Sequence, residues 1–112
     1  MDRLEAFFAA LKEWFESPGF RGCCFINATV ELADASHPAS IFAAEHKCRF
    51  QQMLNEIIAE AAGAKATSVA PAIGVLVEGA IVTAVVEGNL NAADVARDAA
   101  LMLVSKSKTK RK

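Results

Sequence analysis

The sequence predicts an all-α fold, a compact bundle of about five helices. Apolar residues recur at helical spacing, as in Leu4, Phe7, Phe8, Leu11 and Phe15. No stretch carries the alternation and tight turn of a hairpin, and with 112 residues there is room for one core. The chain is punctuated at Ser17-Pro18-Gly19, at Asp34 to Pro38, at Gly63 and at Gly88, which separates segments of helical length.

The first helix follows from that opening stripe, with Asp2 placed to cap it and Glu5, Lys12, Glu13 and Glu16 outside the face. Proline and glycine at 18 and 19 end it. Cys23 to Ala33 is apolar without strict alternation and predicts a second helix of about three turns. Pro38 suits the first turn of a long third helix, whose inner face reads Phe42, Ala43, His46, Phe50, Met53, Leu54, Ile57, Ile58 and Ala61. Gly63 stops it. Thr67 or Ser68 is placed to cap a fourth, apolar helix, with Pro71 near its start and Gly88 after Glu87 at its end. Asn91 caps the last helix, and Asp94 favours its positive end. The domain is expected to span 1–104. Residues 105–112 contain no apolar residue and read as a basic, disordered tail.

Charge and composition exclude several functions. The chain carries 12 Lys and Arg against 13 Asp and Glu, for a net charge of −1. Lys106, Lys108, Lys110, Arg111 and Lys112 all lie in the tail, and removing those five charges leaves the body at −6. Such a body is not built to neutralise a phosphate backbone, and the tail is either a solvated end or a weak electrostatic arm. Three cysteines, two of them adjacent, do not make a disulfide framework. With an acidic start in place of a signal peptide, a cytoplasmic protein is expected. At 54% hydrophobic residues the chain is apolar for a small monomer, so part of its surface is expected to meet another subunit.

Val69 to Val86 approaches the length of a membrane span. Glu78 near its centre would cost about 2.5–3.5 kcal/mol there, and Pro71, Gly74 and Gly79 weaken it further. A helix enclosed by protein on all sides, with no membrane partner, is the expectation.

No phosphate loop, dinucleotide fingerprint, nucleophile elbow or zinc-protease helix occurs, so no cofactor and no catalytic residue is assigned. Cys23, Cys24, His37, His46 and Cys48 provide no pre-spaced metal half-site and read as buried apolar thiols and isolated histidines. Glu45 and His46 point about 100° apart on a helix and form no dyad. His46 is either a satisfied core histidine or the polar anchor of a cavity. Glu78 is either paired across an interface or lines a pocket. Phe7, Phe8, Trp14, Phe15, Phe25, Phe42 and Phe50 gather in the first three helices as core or as walls of an apolar cavity. Asn27, Thr29 and His46 are its convergent polar groups, and Val77 of the apolar helix completes the candidate ligand set. In the last two helices Ala80, Thr83, Ala84, Ala93, Ala96, Ala99 and Ala100 are small and allow close approach. With Glu87 and Arg97 beside them, they form a candidate homodimer interface, two helices doubled by a twofold axis into a four-helix contact.

The run Phe20-Arg21-Gly22-Cys23-Cys24-Phe25-Ile26-Asn27-Ala28, followed by Glu31, His37-Pro38, His46-Lys47 and Glu78-Gly79-Ala80, resembles the C-terminal domain of TetR/AcrR-type transcriptional repressors. The similarity runs from Leu4 to about Val104. It implies a domain that senses a small molecule, dimerises through its last two helices, and reaches DNA only through a helix-turn-helix domain ahead of it. Since no such reader precedes Leu4, the expectation is the sensor part of a longer repressor, with a free-standing relative as the other reading. Cys24 stands where relatives often carry proline. A helical interaction module without a small-molecule ligand is the alternative, and an enzyme is not expected.

Overall fold

The computed structural model describes residues 2–22, 27, 30, 31 and 33–109. Within them lie four α-helices and one 3-10 helix: α1 (Asp2–Glu16), α2 (Pro38–Ala62), η1 (Ala64–Val69), α3 (Ala70–Glu87) and α4 (Ala92–Thr109). The helix expected over Cys23 to Ala33 lies largely outside the described residues, although Asn27, Val30 and Glu31 are helical. The all-α class stands.

In α1 the buried residues are Leu4, Phe8, Leu11 and Phe15, one stripe along a single face. The Trp14 carbonyl accepts from both the amide (3.0 Å) and the hydroxyl (2.6 Å) of Ser17, which closes the helix before Pro18. Pro38 starts α2, and the cap is His37, whose Nδ1 accepts from the Ala39 amide at 3.0 Å. Gly63, at φ 94°, stops α2 while its amide donates to the Ala59 carbonyl at 2.8 Å.

The inner face of α2 differs from its expected stripe. Leu54, Ile57 and Ile58 enter the shared core, whereas Phe42 is 52% exposed and Met53 lies at the surface. Only the C-terminal half of α2 crosses the other helices' core, and in the other half Ser40 and Ala43 are the buried positions. Cys48 is exposed on α2 rather than a buried thiol.

Thr67 does not cap the apolar helix. Its hydroxyl donates to the Ala64 carbonyl at 2.7 Å and closes η1, a tight turn between α2 and α3. Gly88, at φ 67°, ends α3 in the left-handed region. Asn89, rather than Asn91, supplies the side chain ahead of α4, since its Oδ1 accepts from the Asn91 amide at 3.0 Å. α4 then runs through Thr109. Residues 105–109 therefore continue the helix: Val104 is fully buried beneath its last turns, and lysines are favoured at a helix C-terminus. Lys110, Arg111 and Lys112 fall outside the described residues.

α4 packs on α3, α1 and η1, and α2 packs on η1, α3 and α1. Phe8, Leu4, Leu54, Ile58, Ile73, Val77 and Val104 fill the centre. Ion pairs tie α1 outward, Arg3 to Glu60 on α2 and Lys12 to Asp94 on α4 at 2.8 Å. The domain is a slab of 47 × 30 × 17 Å. Its accessible surface of 6862 Å² exceeds the roughly 6,000 Å² expected for a monomer of this mass.

Candidate functional site

Two surface features involve the apolar helix α3. The first is its outward stripe. Val75, Gly79, Val82 and Val86 fall at i, i+4, i+7 and i+11 and all face out, with Val75 and Val86 72% and 75% exposed. On α4, Val95 stands across from this stripe and is 65% exposed, and Met102, 66% exposed, lies two turns further along. Between the helices runs an apolar groove of about 410 Å³ lined by Val75, Leu76, Gly79, Ala80, Thr83 and facing residues of α4. The protomer alone encloses only part of the helix. The run Ala64–Glu87 is long and apolar enough to cross a membrane, but one side packs on α2 and α4 while the other is bare.

The small residues expected at a dimer contact serve two roles. Ala80, Ala84, Ala93, Ala96 and Ala100 are all buried within the protomer, where their size lets α3, α4 and α1 approach closely. Ala80, Ala96 and Thr83 line the groove, and Glu87 is exposed at the end of α3. Arg97 turns toward acidic neighbours on its own helix, Asp94 at 3.4 Å and Asp98 at 3.0 Å. The Lys12 ammonium bonded to Asp94 holds that carboxyl below its ordinary range, and the same bond raises Lys12.

The second feature is a cleft of about 370 Å³ between α2 and α3, lined by Lys47, Phe50, Gln51, Pro71, Gly74, Val75 and Glu78. Lys47 Nζ meets Glu78 Oε2 at 2.8 Å, and each side chain keeps 29% of its surface. Glu78 is therefore paired within the chain and also lines a pocket. Its other oxygen, Oε1, is buried and has no hydrogen-bond partner. Lys47 Nζ also lies 5.7 Å from the Phe50 ring centroid. Gln51 spans to α3, its Nε2 donating to the Ala70 carbonyl at 2.9 Å. A Cβ at Gly74 would collide with Gln51 Oε1, so glycine permits this approach.

Among the remaining candidate ligand residues, Phe50 lines the cleft and stacks obliquely on Phe7 at 5.9 Å. Phe7 in turn meets Phe8 edge-on at 5.2 Å. His46 is half-buried on α2. Val77, on α3, is 1% exposed and packs in the core. Trp14 lies at the far end of α1, edge-on to Phe20 at 4.8 Å. Asn27 is exposed, its Nδ2 donating to the Arg21 carbonyl at 3.3 Å, a local turn contact. Phe25 and Thr29 lie outside the described residues. Of the expected set, Phe50 is the member that lines this cleft. The structure adds Gly74, one turn before Glu78 on α3, and Lys47 and Gln51 from α2, which no local spacing connects to Glu78. The turn after α1 also rests on α3, because a Cβ at Gly22 would come within 2.8 Å of Val85 Cγ2.

A family model described as the tetracyclin repressor-like, C-terminal domain matches residues 1–100. No curated protein and no solved structure matches the chain.

Proposed function

The chain belongs to the tetracyclin repressor-like C-terminal domain family, and from that membership we propose that it is the effector-sensing and homodimerisation domain of a TetR-type transcriptional repressor. It works in the cytoplasm as a homodimer. A small, mainly apolar effector binds it, and an N-terminal helix-turn-helix domain carries its output to DNA. The single observation behind the dimer is the bare stripe Val75, Gly79, Val82 and Val86, with Val95 across from it and Met102 further along α4. A continuous apolar face of this kind is rare on a monomer, and a second copy covers it with the same residues.

Effector binding acts through differential affinity. A ligand that prefers one arrangement of α1 shifts the attached readers by a coupling of typically about 1–3 kcal/mol. α1 is tied to α2 by Arg3 and Glu60 and to α4 by Lys12 and Asp94, and its exit turn sits on α3, so a change in any of these helices reaches it. The test has two parts. Sedimentation at micromolar concentration is expected to give twice the 11.9 kDa chain mass, and a single-chain mass overturns the dimer. Screening apolar compounds against Trp14 emission and melting temperature is expected to yield responders, and a uniformly silent screen overturns sensing.

A further inference from the structure

We propose that the C-terminal end of α4, with the lysine-rich segment that follows it, is an electrostatic arm that grips the phosphate backbone of duplex DNA. The proposal rests on the reading above in one respect, that a DNA-binding domain joins this chain ahead of α1. Three observations carry it.

First, α4 and α1 run antiparallel, so the end of one helix lies at the start of the other. Lys12 of α1 pairs with Asp94 of α4 at 2.8 Å. Further along α4, Arg97 lies within electrostatic reach of Glu5, which is further back along α1. At 1.5 Å per residue, Lys12 back to Asp2 is about 15 Å of helix and Asp94 to Thr109 about 22 Å. The last turn of α4 thus reaches past the first residue of α1, the end at which the DNA-binding domain attaches.

Second, positive charge gathers at this end. Arg3 and Glu60 tie the start of α1 to the end of α2, so Lys65 on η1, which follows directly, is at the same end and exposed. Arg3, Lys65 and the five cations from Lys106 onward are seven of the chain's 12 basic residues. The acids here are Asp2, Glu56 and Glu60, and Arg3 already takes Glu60. A helix C-terminus carries about half a negative charge, so it accounts for one lysine and not five. Glu13, Glu16 and Asp94 belong to the far end, at least about 20 Å from the end of α4, which is twice the screening length of about 10 Å at 0.1 M salt. They do not cancel this charge.

Third, the segment's chemistry suits phosphate. Ser105 to Lys110 alternates hydroxyl and ammonium side chains, Arg111 and Lys112 follow, and none of these residues is apolar. Cations neutralise phosphates and hydroxyls donate to them, with no base read. A lipid surface would be held by apolar side chains as well, and this segment has none to insert. Position decides the rest. A DNA-binding domain on its site holds the arm beside the duplex, so a contact too weak to act alone becomes effective at the local concentration of about a millimolar that a short tether gives.

The experiment follows the anisotropy of a labelled duplex of arbitrary sequence as the full chain is added, in a series from about 20 to 100 mM salt. Affinity is expected to fall roughly 600-fold across the series, a slope near −4 in log K against log salt, as four or five neutralised phosphates give. The fivefold variant Lys106→Gln, Lys108→Gln, Lys110→Gln, Arg111→Gln, Lys112→Gln is expected to flatten the slope to about −1 or less, with helix content by circular dichroism reporting that it is folded. Arg49→Gln, which removes a cation exposed midway along α2, is expected to change nothing. No binding at the lowest salt, an unchanged slope in the fivefold variant, an equal loss per charge at Arg49, or tighter binding to phosphatidylserine vesicles than to the duplex overturns the proposal. Tail-dependent binding by a protein whose native form carries nothing before Met1 upholds the arm and counts against the attached DNA-binding domain. A heavier native form without tail-dependent binding does the reverse.

Discussion

α1 hides its apolar side chains within one chain, whereas α3 leaves a stripe of them bare. In α1 Leu4, Phe8, Leu11 and Phe15 form one buried stripe, Phe7 and Trp14 flank it partly covered, and six charged residues lie on the remaining faces. α3 is apolar on nearly every side, yet its own chain covers only the faces carrying Ile73, Val77, Ala80, Ile81 and Ala84. An amphipathic helix states where its core lies. A uniformly apolar helix states only that something covers it, and here α2 and α4 cover part of α3.

The comparison can be broken at each helix. The largest effect is expected at Phe8→Ala, since an aromatic side chain 2% exposed at the centre of the core is lost: about 3–5 kcal/mol by denaturant unfolding. A loss under 1 kcal/mol would mean that α1 is not an integral part of the core. Val86→Glu on the bare stripe is expected to leave the protomer's helix content intact while weakening self-association roughly 100-fold, because an unpaired charge is buried at the contact. Unchanged sedimentation would remove α3 from the interface. Gly22→Ala sharpens the link between the two helices. At φ 89° and with Val85 Cγ2 in the way, it is expected to cost about 1–3 kcal/mol.

The smallest effect is expected at the exposed pair Lys12 and Asp94. Asp94 has its folded value lowered, so its contribution is present above the ordinary carboxylate range and disappears as pH falls through that lowered value. Lys12 has its folded value raised, so its contribution is present below the ordinary lysine range and disappears as pH rises through the raised value. Lys12→Met is expected to lower the unfolding midpoint slightly on the plateau between those limits and to match the unsubstituted chain in strong acid. High salt is expected to shrink the difference, and a salt-independent gap would point to lost packing instead.

These helices also show what the sequence makes legible. Leu4, Phe8, Leu11 and Phe15 announce α1 because helical spacing and burial coincide there. The long α2 is announced too, but its expected inner face fails at Phe42 and Met53, since periodicity cannot say how far along a helix the core extends. η1 is missed because the Thr67 hydroxyl turns back to Ala64, an alternative that looks the same as a cap in one dimension. Of the cleft, Glu78 stands out as a carboxylate within an apolar run, and Phe50 as an aromatic on a helix face. Lys47 and Gln51 do not, because only the crossing of α2 over α3 brings them beside Glu78 and Ala70. The small residues near the chain's end are expected at a dimer contact. Ala84, Ala93 and Ala100 are buried within the protomer, while Val75, Val82, Val86, Val95 and Met102 are exposed.

Val75 lines both the groove between α3 and α4 and the cleft between α2 and α3. Val75 is itself 72% exposed, so both hollows open beside the same bare stripe of α3. Linkage is reciprocal: if a guest in the cleft alters self-association by some factor, self-association alters the guest's affinity by the same factor. An affinity measured for this domain then depends on how much of the domain is in the tube, and dilution alone is expected to act as a dose.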